Sequence, residues 1–416
     1  GPTDARSTNR RIMALALPTF GQLIAEPTFI LIDTAIVGHI GDAALAGLSI
    51  GSTIILTAVG LCIFLAYSTT AQVAHLLGAG RRREGLQAGI DGLWLALSIG
   101  TVLGLGLFAA AEPLCREQAV TYTRAIVLGA PGMLMVYAAN GIFRGLQKVR
   151  ITLIAAVGGA VVNTVLDVLF VIVLNWGIAG SGVATLVAQW FMGLFLVIPA
   201  ILWSRADGAS LRPRLAGIAA AGGDGLPLFI RTLAIRAAMV TTVACAARMG
   251  TAVLAGFQAV NSSWNFAMNM LDSVGIAGQT LVATALGAGS VQQARRLTRA
   301  VVGLFAGHFF SPTPHIQTLI AVGMVTMGIF FPLQGWMMAI DGILIGARDY
   351  RYLAVTCTLT AVVYVTLILI LANMVTPALT SDLMRTAVLW AAFNVVLMGG
   401  RGLSNGLRVR SDAWMR

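Results

Sequence analysis

The two halves of this chain are versions of one unit, and this internal repeat limits the possible folds more than any single motif. At a shift of 209 positions Pro18 falls on Pro227, and the segment 77–80 (Leu-Gly-Ala-Gly) falls on an identical segment at 286–289. Three further matches, at a shift of 201, are Gly141 with Gly342, Gly145 with Gly346 and Arg150 with Arg351. Many secondary transporters are built from a duplicated bundle of helices with a site near the junction. The repeat alone establishes duplication, so transport has to be argued from other features.

Composition places the repeated unit in a membrane. Hydrophobic residues make up 58% of the 416 residues and charged residues only 10%, whereas a soluble domain carries roughly 25% charged residues. The length suits about twelve spanning helices of roughly 20 residues each. We therefore predict an all-α membrane protein with twelve transmembrane helices in two pseudo-symmetric six-helix lobes.

The apolar runs define the predicted lobes. The N-terminal lobe comprises residues 1–203, a cytoplasmic inter-lobe linker comprises 204–225, and the C-terminal lobe comprises 226–416. The predicted spans are 12–37, 46–77, 87–111, 121–143, 151–174, 178–203, 226–249, 254–286, 297–310, 316–345, 352–375 and 386–407.

The ninth span is short. About 14 apolar residues precede the segment 311–314, too few to cross a bilayer at 1.5 Å per residue. The repeat shift also falls from 209 to 201 here, so eight residues are missing relative to the first half. We expect that the natural protein has additional residues near 308–314, and that Gly1-Pro2 is a protease-cleavage scar.

Basic residues are distributed unequally between the two sides of the predicted bundle. The termini and the loops on their side hold 21 of the 27 Lys and Arg residues, which predicts that both termini are cytoplasmic. This asymmetry accounts for the net charge of +11, so no nucleic-acid partner is expected. The four cysteines and four histidines are scattered. With no metal-ligand spacing, HExxH, GxSxG or Walker loop, we expect no resident metal, no cofactor and no enzyme activity.

Ionisable residues inside the predicted spans mark candidate functional sites, because each costs at least a few kcal/mol in a membrane. Asp33 is the clearest case. Glu26 lies two helical turns earlier on the same face, and Pro27 removes a backbone hydrogen bond and can kink the helix between them. This face of the first span is therefore a candidate site.

A second polar pair lies on the fifth span, where Asn163 and Asp167 are four residues apart and share one face. Counted from the cytoplasmic ends, Asp33 lies ~33 Å and Asp167 ~25 Å along their helices, so the two carboxylates can meet. Two carboxylates in a medium of low dielectric constant repel each other, which favours a group that takes and releases a proton. The alternative is a structural pair of buried polar groups that satisfy each other.

The second half does not repeat these carboxylates and has other polar residues instead. An ion pair between Arg236 and Asp272, on the neighbouring seventh and eighth spans, is the expected structural contact, and contact with the substrate is the alternative. Asn265 is the middle of a stripe with Asn261 and Asn269, which either joins helices or lines a cavity.

Several motifs together resemble the multidrug and toxic compound extrusion (MATE) transporters. They are Pro27-x5-Asp33-Thr34-Ala35-x-Val37-Gly38-x-x-Gly41, the Leu-Gly-Ala-Gly segments at 77–80 and 286–289, and Arg144-Gly145. The Asp-Thr-Ala-x-Val-Gly-His form at 33–39 is most similar to the DinF-like branch. The resemblance implies a V-shaped monomer in the bacterial cytoplasmic (inner) membrane. It also implies an antiporter that exports lipophilic, often cationic, small molecules by alternating access in exchange for protons or sodium.

The resemblance also implies which residues bind the coupling ion. The carboxylate of the first span matches Asp33, and the Asn-x3-Asp motif of the fifth span matches Asn163 and Asp167. By spacing, Tyr122 matches a tyrosine of the fourth span and Thr185 a threonine of the sixth. We expect a proton as the coupling ion. Sodium is the alternative coupling ion. Its ligands would be oxygen atoms of Asp33, Asn163, Asp167 and Thr185.

Two other readings compete with an antiporter. A lipid-linked-precursor flippase has a similar duplicated bundle, but it should carry more intramembrane basic residues than Arg231 and Arg236 to hold a pyrophosphate. A channel would leave both the duplication and the one-sided carboxylates unexplained. The flippase is therefore the main alternative.

Overall fold

A computed structural model describes residues 2–38, 40–114, 117–249, 275–307, 343–345, 347–370 and 391–411, with a few isolated positions besides. Within these ranges every regular element is a helix. The α-helices are α1 Pro2–Gly38, α2 Asp42–Gly60, α3 Phe64–Gly78, α4 Arg82–Leu114, α5 Glu117–Val127, α6 Ala130–Gly145, α7 Val149–Asp167, α8 Ile178–Ala206, α9 Leu215–Met249, α10 Gly275–Gly287, α11 Val291–Gly307, α12 Tyr350–Ile370 and α13 Gly399–Arg410. Two π-helical segments, Val168–Val173 and Phe393–Met398, continue from or lead into α-helices.

Six helices in the described residues are long and apolar enough to cross a membrane, and a seventh span is present if the bent pair α5–α6 counts as one. The six are Ile50–Gly78, Arg82–Ala111, Val149–Val173, Ile178–Ala206, Leu215–Cys245 and Tyr350–Ile370. They correspond to predicted spans two, three, five, six, seven and eleven. Helix α11 ends at Gly307, and the segment 308–314, for which we expect additional residues, lies outside the described part.

The predicted fourth span is broken into α5 and α6, which meet at an angle of 41°. Pro131 lies in the first turn of α6, where its missing N–H leaves no intrahelical bond unmade. The break also brings the backbone of this turn close to α4. A Cβ atom on Gly100 would lie 2.5 Å from Cα of Pro131, so only glycine allows this approach.

The chain forms two compact units. Residues Leu17–Gly225 form the first unit, and residues Gly1–Ala16 with Leu226–Arg416 form the second. The start of α1 therefore belongs to the second unit, although the sequence assigns it to the N-terminal lobe. The predicted linker 204–225 belongs to the first unit, and only residues 207–214 of it lie between α8 and α9.

Small residues let the helices of the first unit approach closely. Helix α6 packs against α3, α4 and α8, α7 packs against α8, and α2 packs against α5. A Cβ atom on Gly141 would lie 2.7 Å from Cβ of Thr69, and one on Gly145 would lie 2.7 Å from Val73. Helices in membranes associate through such small residues because apolar burial does not drive them together in lipid. This packing fixes the positions of α7 and α8, which carry part of the candidate site.

Candidate ion-coupling site

Three side chains from three helices of the first unit form a buried chain of hydrogen bonds. Asn163 on α7 donates from Nδ2 to Oδ1 of Asp33 on α1, at 2.8 Å. Thr185 on α8 donates from Oγ1 to Oδ1 of Asn163, at 3.3 Å. Asp33 is 7% exposed and Asn163 is fully buried. The contact that the sequence predicts between the first and fifth spans is therefore present.

Asp167 lies one helical turn beyond Asn163, where α7 passes into the π-helical segment Val168–Val173. It is fully buried, and its carboxylate is close enough to that of Asp33 for the two to interact electrostatically. Apart from the carboxyl group of Asp33, neither carboxyl oxygen of Asp167 has a hydrogen-bond partner in the described part of the chain. A π-helical turn often marks a functional position. Among the described residues, the Asp33–Asp167 pair is thus a buried pair of carboxyl groups that is incompletely satisfied.

Two adjacent carboxylates in a low-dielectric interior repel each other when both are ionised. A stable arrangement therefore needs a shared proton or a bound cation between them. Both occupants carry one positive charge, and both interact with oxygen atoms.

Tyr122 of α5 completes the group. Its hydroxyl lies 3.2 Å from Oγ of Ser52 on α2, and its side chain is buried next to Asp33, Asp167 and Thr185. Glycine allows the neighbouring helix to pass over the ring, since a Cβ atom on Gly51 would lie 2.5 Å from Cδ1 of Tyr122. Sequence reasoning missed Ser52, because serines are common in apolar helices and nothing in its spacing distinguishes it.

A small cavity opens onto the group. Its volume is about 80 Å³, and its polar lining comes from Asp33, Ser52, Tyr122, Thr185 and Gln189. A water molecule occupies roughly 30 Å³ in the liquid, and pockets for drug-sized ligands measure roughly 300–1,000 Å³. The cavity therefore suits a few water molecules or a small ion, and it is too small for a drug.

The other candidate residues from the sequence are placed differently. The side chains of Glu26 and Pro27, and all of Asn265, lie outside the described part of the chain, although α1 is a continuous helix through positions 26 and 27. Arg236 is exposed on α9, and no described contact joins it to Asp272. The sequence could not reveal this, because helical spacing does not determine the rotation of one helix against another.

A buried ion-pair cluster occupies the second unit instead. Arg231 donates from Nη2 to Oδ2 of Asp341 in an ion pair. Nη2 of Arg401 lies 3.4 Å from the same oxygen, and Nδ2 of Asn405 lies 3.3 Å from Oδ1 of Asp341. All four side chains are buried. The sequence signal for this cluster is the combination of an acid and two arginines inside apolar spans, since each needs a partner there.

An all-helical chain with several membrane spans and a one-sided pair of buried carboxylates next to an ion-sized cavity belongs to the class of multi-pass membrane transporters. Comparisons with known proteins agree with this class. The family model MatE matches residues 18–169. Protein DETOXIFICATION 44, chloroplastic, from Arabidopsis thaliana is 27% identical over 384 residues, which cover 82% of this chain and 73% of that protein. Multidrug resistance protein MdtK of Yersinia pseudotuberculosis is 26% identical over 385 residues and covers 82% of both chains.

Solved structures show the same fold. A crystal structure of a mutant of the Vibrio cholerae MATE transporter VcmN has a TM-score of 0.85 at 18% identity and covers 99% of both chains. A MATE in complex with MaD3S has a TM-score of 0.83 at 19% identity and covers 98% of this chain and 97% of that one. Residues 18–169 thus resemble the MATE transporters, which are not enzymes, and the chain has the MATE bundle fold.

Proposed function

We propose that this protein is a secondary active antiporter that exports lipophilic, often cationic, compounds in exchange for protons by alternating access. We place it in the bacterial cytoplasmic membrane as a monomer of the DinF-like branch, with both termini in the cytoplasm. The coupling site is the first-unit group of Asp33, Asn163, Asp167, Tyr122 and Thr185.

The observation that carries this proposal is the state of Asp167. A fully buried carboxylate whose hydrogen-bond partner among the described residues is only a second carboxyl group is costly to keep in a bilayer. Such an arrangement is useful when a cation or proton binds and leaves during each cycle. The repeat counterparts of Asp33 and Asp167 are Thr242 and Ile368, so ion binding is confined to one half.

The exported compound needs a binding site separate from the coupling site. The cavity next to Asp33 has a volume of about 80 Å³, well below that of sites for drug-sized ligands. Coupling ion and compound therefore occupy different positions, and each acts on the other through the conformation of the protein. The name of the Yersinia pseudotuberculosis relative, a multidrug resistance protein, supports a broad range of lipophilic compounds.

The test is transport in proteoliposomes. With a pH gradient as the only driving force and ethidium as the compound, we expect the wild type to transport ethidium and to move protons in the opposite direction. Asp33→Asn should remain folded, and its ethidium transport should fall to the rate of empty vesicles. Asp349→Asn, the same change at a carboxylate outside the site, is the matched control and should transport normally. Undiminished gradient-driven transport by Asp33→Asn contradicts the proposal.

A second arm separates the two coupling ions. A sodium gradient at equal pH on both sides should drive no transport if the proton is the coupling ion. Sodium-driven transport that is lost in Asp33→Asn would instead assign the same residues to a sodium site.

A further inference from the structure

A second, larger cavity lies at the start of α4 in the first unit, away from the coupling site. Its volume is about 800 Å³, within the range of binding sites for small molecules. Its charged lining comes from Arg81–Arg83, Arg214, Glu84, Asp91 and Asp207. None of the five coupling residues lines it, so a ligand here is independent of the proposed ion coupling.

Three of the four arginines in this cavity are already paired with the three carboxylates. Arg81 pairs with Glu84. Arg82 Nε lies 2.8 Å from Oδ2 of Asp207, and Arg214 Nη2 lies 3.0 Å from Oδ2 of Asp91.

Arg83 is the fourth arginine. It is exposed, and it makes no ion pair within the described part of the chain. The lining therefore carries one unmatched positive charge.

The segment 207–214, which contributes Asp207 and Arg214 to the lining, is held in place on α4. Gln87 donates from Nε2 to the carbonyl oxygen of Ser210 at 3.1 Å and accepts from the N–H of Ser210 at 2.8 Å. Nε1 of Trp94 donates to the carbonyl oxygen of Leu211 at 3.0 Å. The cavity is thus a formed feature of the first unit with fixed walls, unlike a set of separate surface arginines.

The cavity lies at the level of the lipid headgroups. Helix α4 has 33 residues and is ~50 Å long, whereas the hydrocarbon core is only ~30 Å thick. Its charged start at residues 82–84 must therefore project from the core. Trp94 lies further along the same helix with its N–H bonded to the backbone, as is typical of aromatic residues at the membrane interface.

We propose that this cavity binds the phosphodiester headgroup of an anionic phospholipid. A phosphodiester carries one negative charge, which matches the one unmatched charge of Arg83. Guanidinium groups bind phosphate oxygens through two parallel hydrogen bonds, and the free N–H groups of the first turn of α4 add donors for an anion. The carboxylate of Asp207 accepts a hydrogen bond from a headgroup hydroxyl.

The test measures lipid binding to the purified full-length protein by native mass spectrometry. Phosphatidylglycerol, phosphatidylethanolamine and phosphatidylcholine with identical acyl chains are the probes. The wild type should retain phosphatidylglycerol preferentially, because its phosphate charge is not balanced by an ammonium group. Inorganic phosphate, added as a competitor, separates the two sources of the anion. Displacement of phosphatidylglycerol by millimolar phosphate would overturn the assignment to a lipid.

Three variants make the assignment specific. Arg83→Gln should weaken phosphatidylglycerol binding about fivefold, the effect of one basic residue near a membrane surface. Arg205→Gln removes an equal charge from an exposed position of α8 outside the cavity and should bind as the wild type does. Glu84→Gln releases Arg81 and should strengthen binding. Equal losses in Arg83→Gln and Arg205→Gln, weaker binding by Glu84→Gln, or equal retention of the three lipids would each overturn the proposal.

Discussion

Thr242 and Tyr364 share a buried hydrogen bond in the second unit, at the positions that correspond to Asp33 and Asn163 in the first. A shift of 209 relates Asp33 to Thr242, and a shift of 201 relates Asn163 to Tyr364. Each half therefore has a hydrogen bond between corresponding helices at corresponding positions. In the first half a carboxylate accepts it, and in the second it joins two hydroxyl groups. The second pair carries no negative charge to neutralise a bound cation. The contact in the second unit is therefore a structural one, and the contact in the first unit is a candidate for ion coupling.

Loss of the Thr242–Tyr364 hydrogen bond should lower the stability of the protein and leave the coupling of proton and compound transport unchanged. Thr242→Val leaves the buried Tyr364 hydroxyl without this partner, and Tyr364→Phe does the same to Thr242. Each change should lower the free energy of unfolding by about 1–3 kcal/mol, and the double variant should lose less than the sum. Thermal unfolding in detergent measures the stability. The ratio of protons to ethidium should be unchanged, and an altered ratio would show that this pair also takes part in coupling.

Asp167→Asn should preserve or raise stability and abolish transport. The amide keeps the size of the side chain, and it removes the repulsion from Asp33 and the cost of a buried charge. We expect a melting temperature equal to or above that of the wild type together with loss of gradient-driven transport. Such a trade of stability for activity is typical of functional sites. A lower melting temperature with normal transport would mean that Asp167 is structural.

Gly51→Ala should disturb the coupling group through Tyr122. The added Cβ atom would lie 2.5 Å from Cδ1 of Tyr122 and 2.7 Å from Oγ1 of Thr123. Overpacking of this kind costs about 1–3 kcal/mol, and we expect slower transport because the tyrosine hydroxyl moves. Gly106→Ala on α4 is the control, since no atom lies within 4 Å of its added Cβ. Equal transport and stability of the two variants would contradict this role of Gly51.

Asp341→Asn should destabilise the second unit strongly. It leaves the buried guanidinium groups of Arg231 and Arg401 without their shared carboxylate, and loss of one partner of a buried pair costs about 3–5 kcal/mol. The melting temperature measures the effect.

Asp349→Asn is the matched control. The hydrogen bond to Asp349 raises the pKa of the Arg408 guanidinium, and the pair is partly exposed. Exposed pairs contribute about 1 kcal/mol or less. If both variants melt at the same temperature, the buried cluster around Asp341 contributes no more to stability than the partly exposed Asp349–Arg408 pair.

The amino-acid sequence by itself determined the class of protein and the location of the candidate coupling group. Lipid excludes charged groups strongly, so the rare acids in apolar runs are conspicuous, and helical periodicity then assigns Asn163 and Asp167 to one face. The match between the two halves indicated a duplicated bundle, because the same residues recur at a fixed spacing. These features depend on local composition and residue spacing, and both can be determined from the sequence alone.

Only the tertiary structure decided which side chains meet. The partner of Tyr122 is Ser52, the partner of Asp341 is Arg231, and Asp167 contacts the carboxyl group of Asp33 and no other hydrogen-bonding group among the described residues. The structure also assigned residues Gly1–Ala16 to the second unit. Each of these facts depends on the rotation and depth of one helix relative to another. Both are set by close packing at small residues such as Gly51, and helical spacing within a single span contains no information about them.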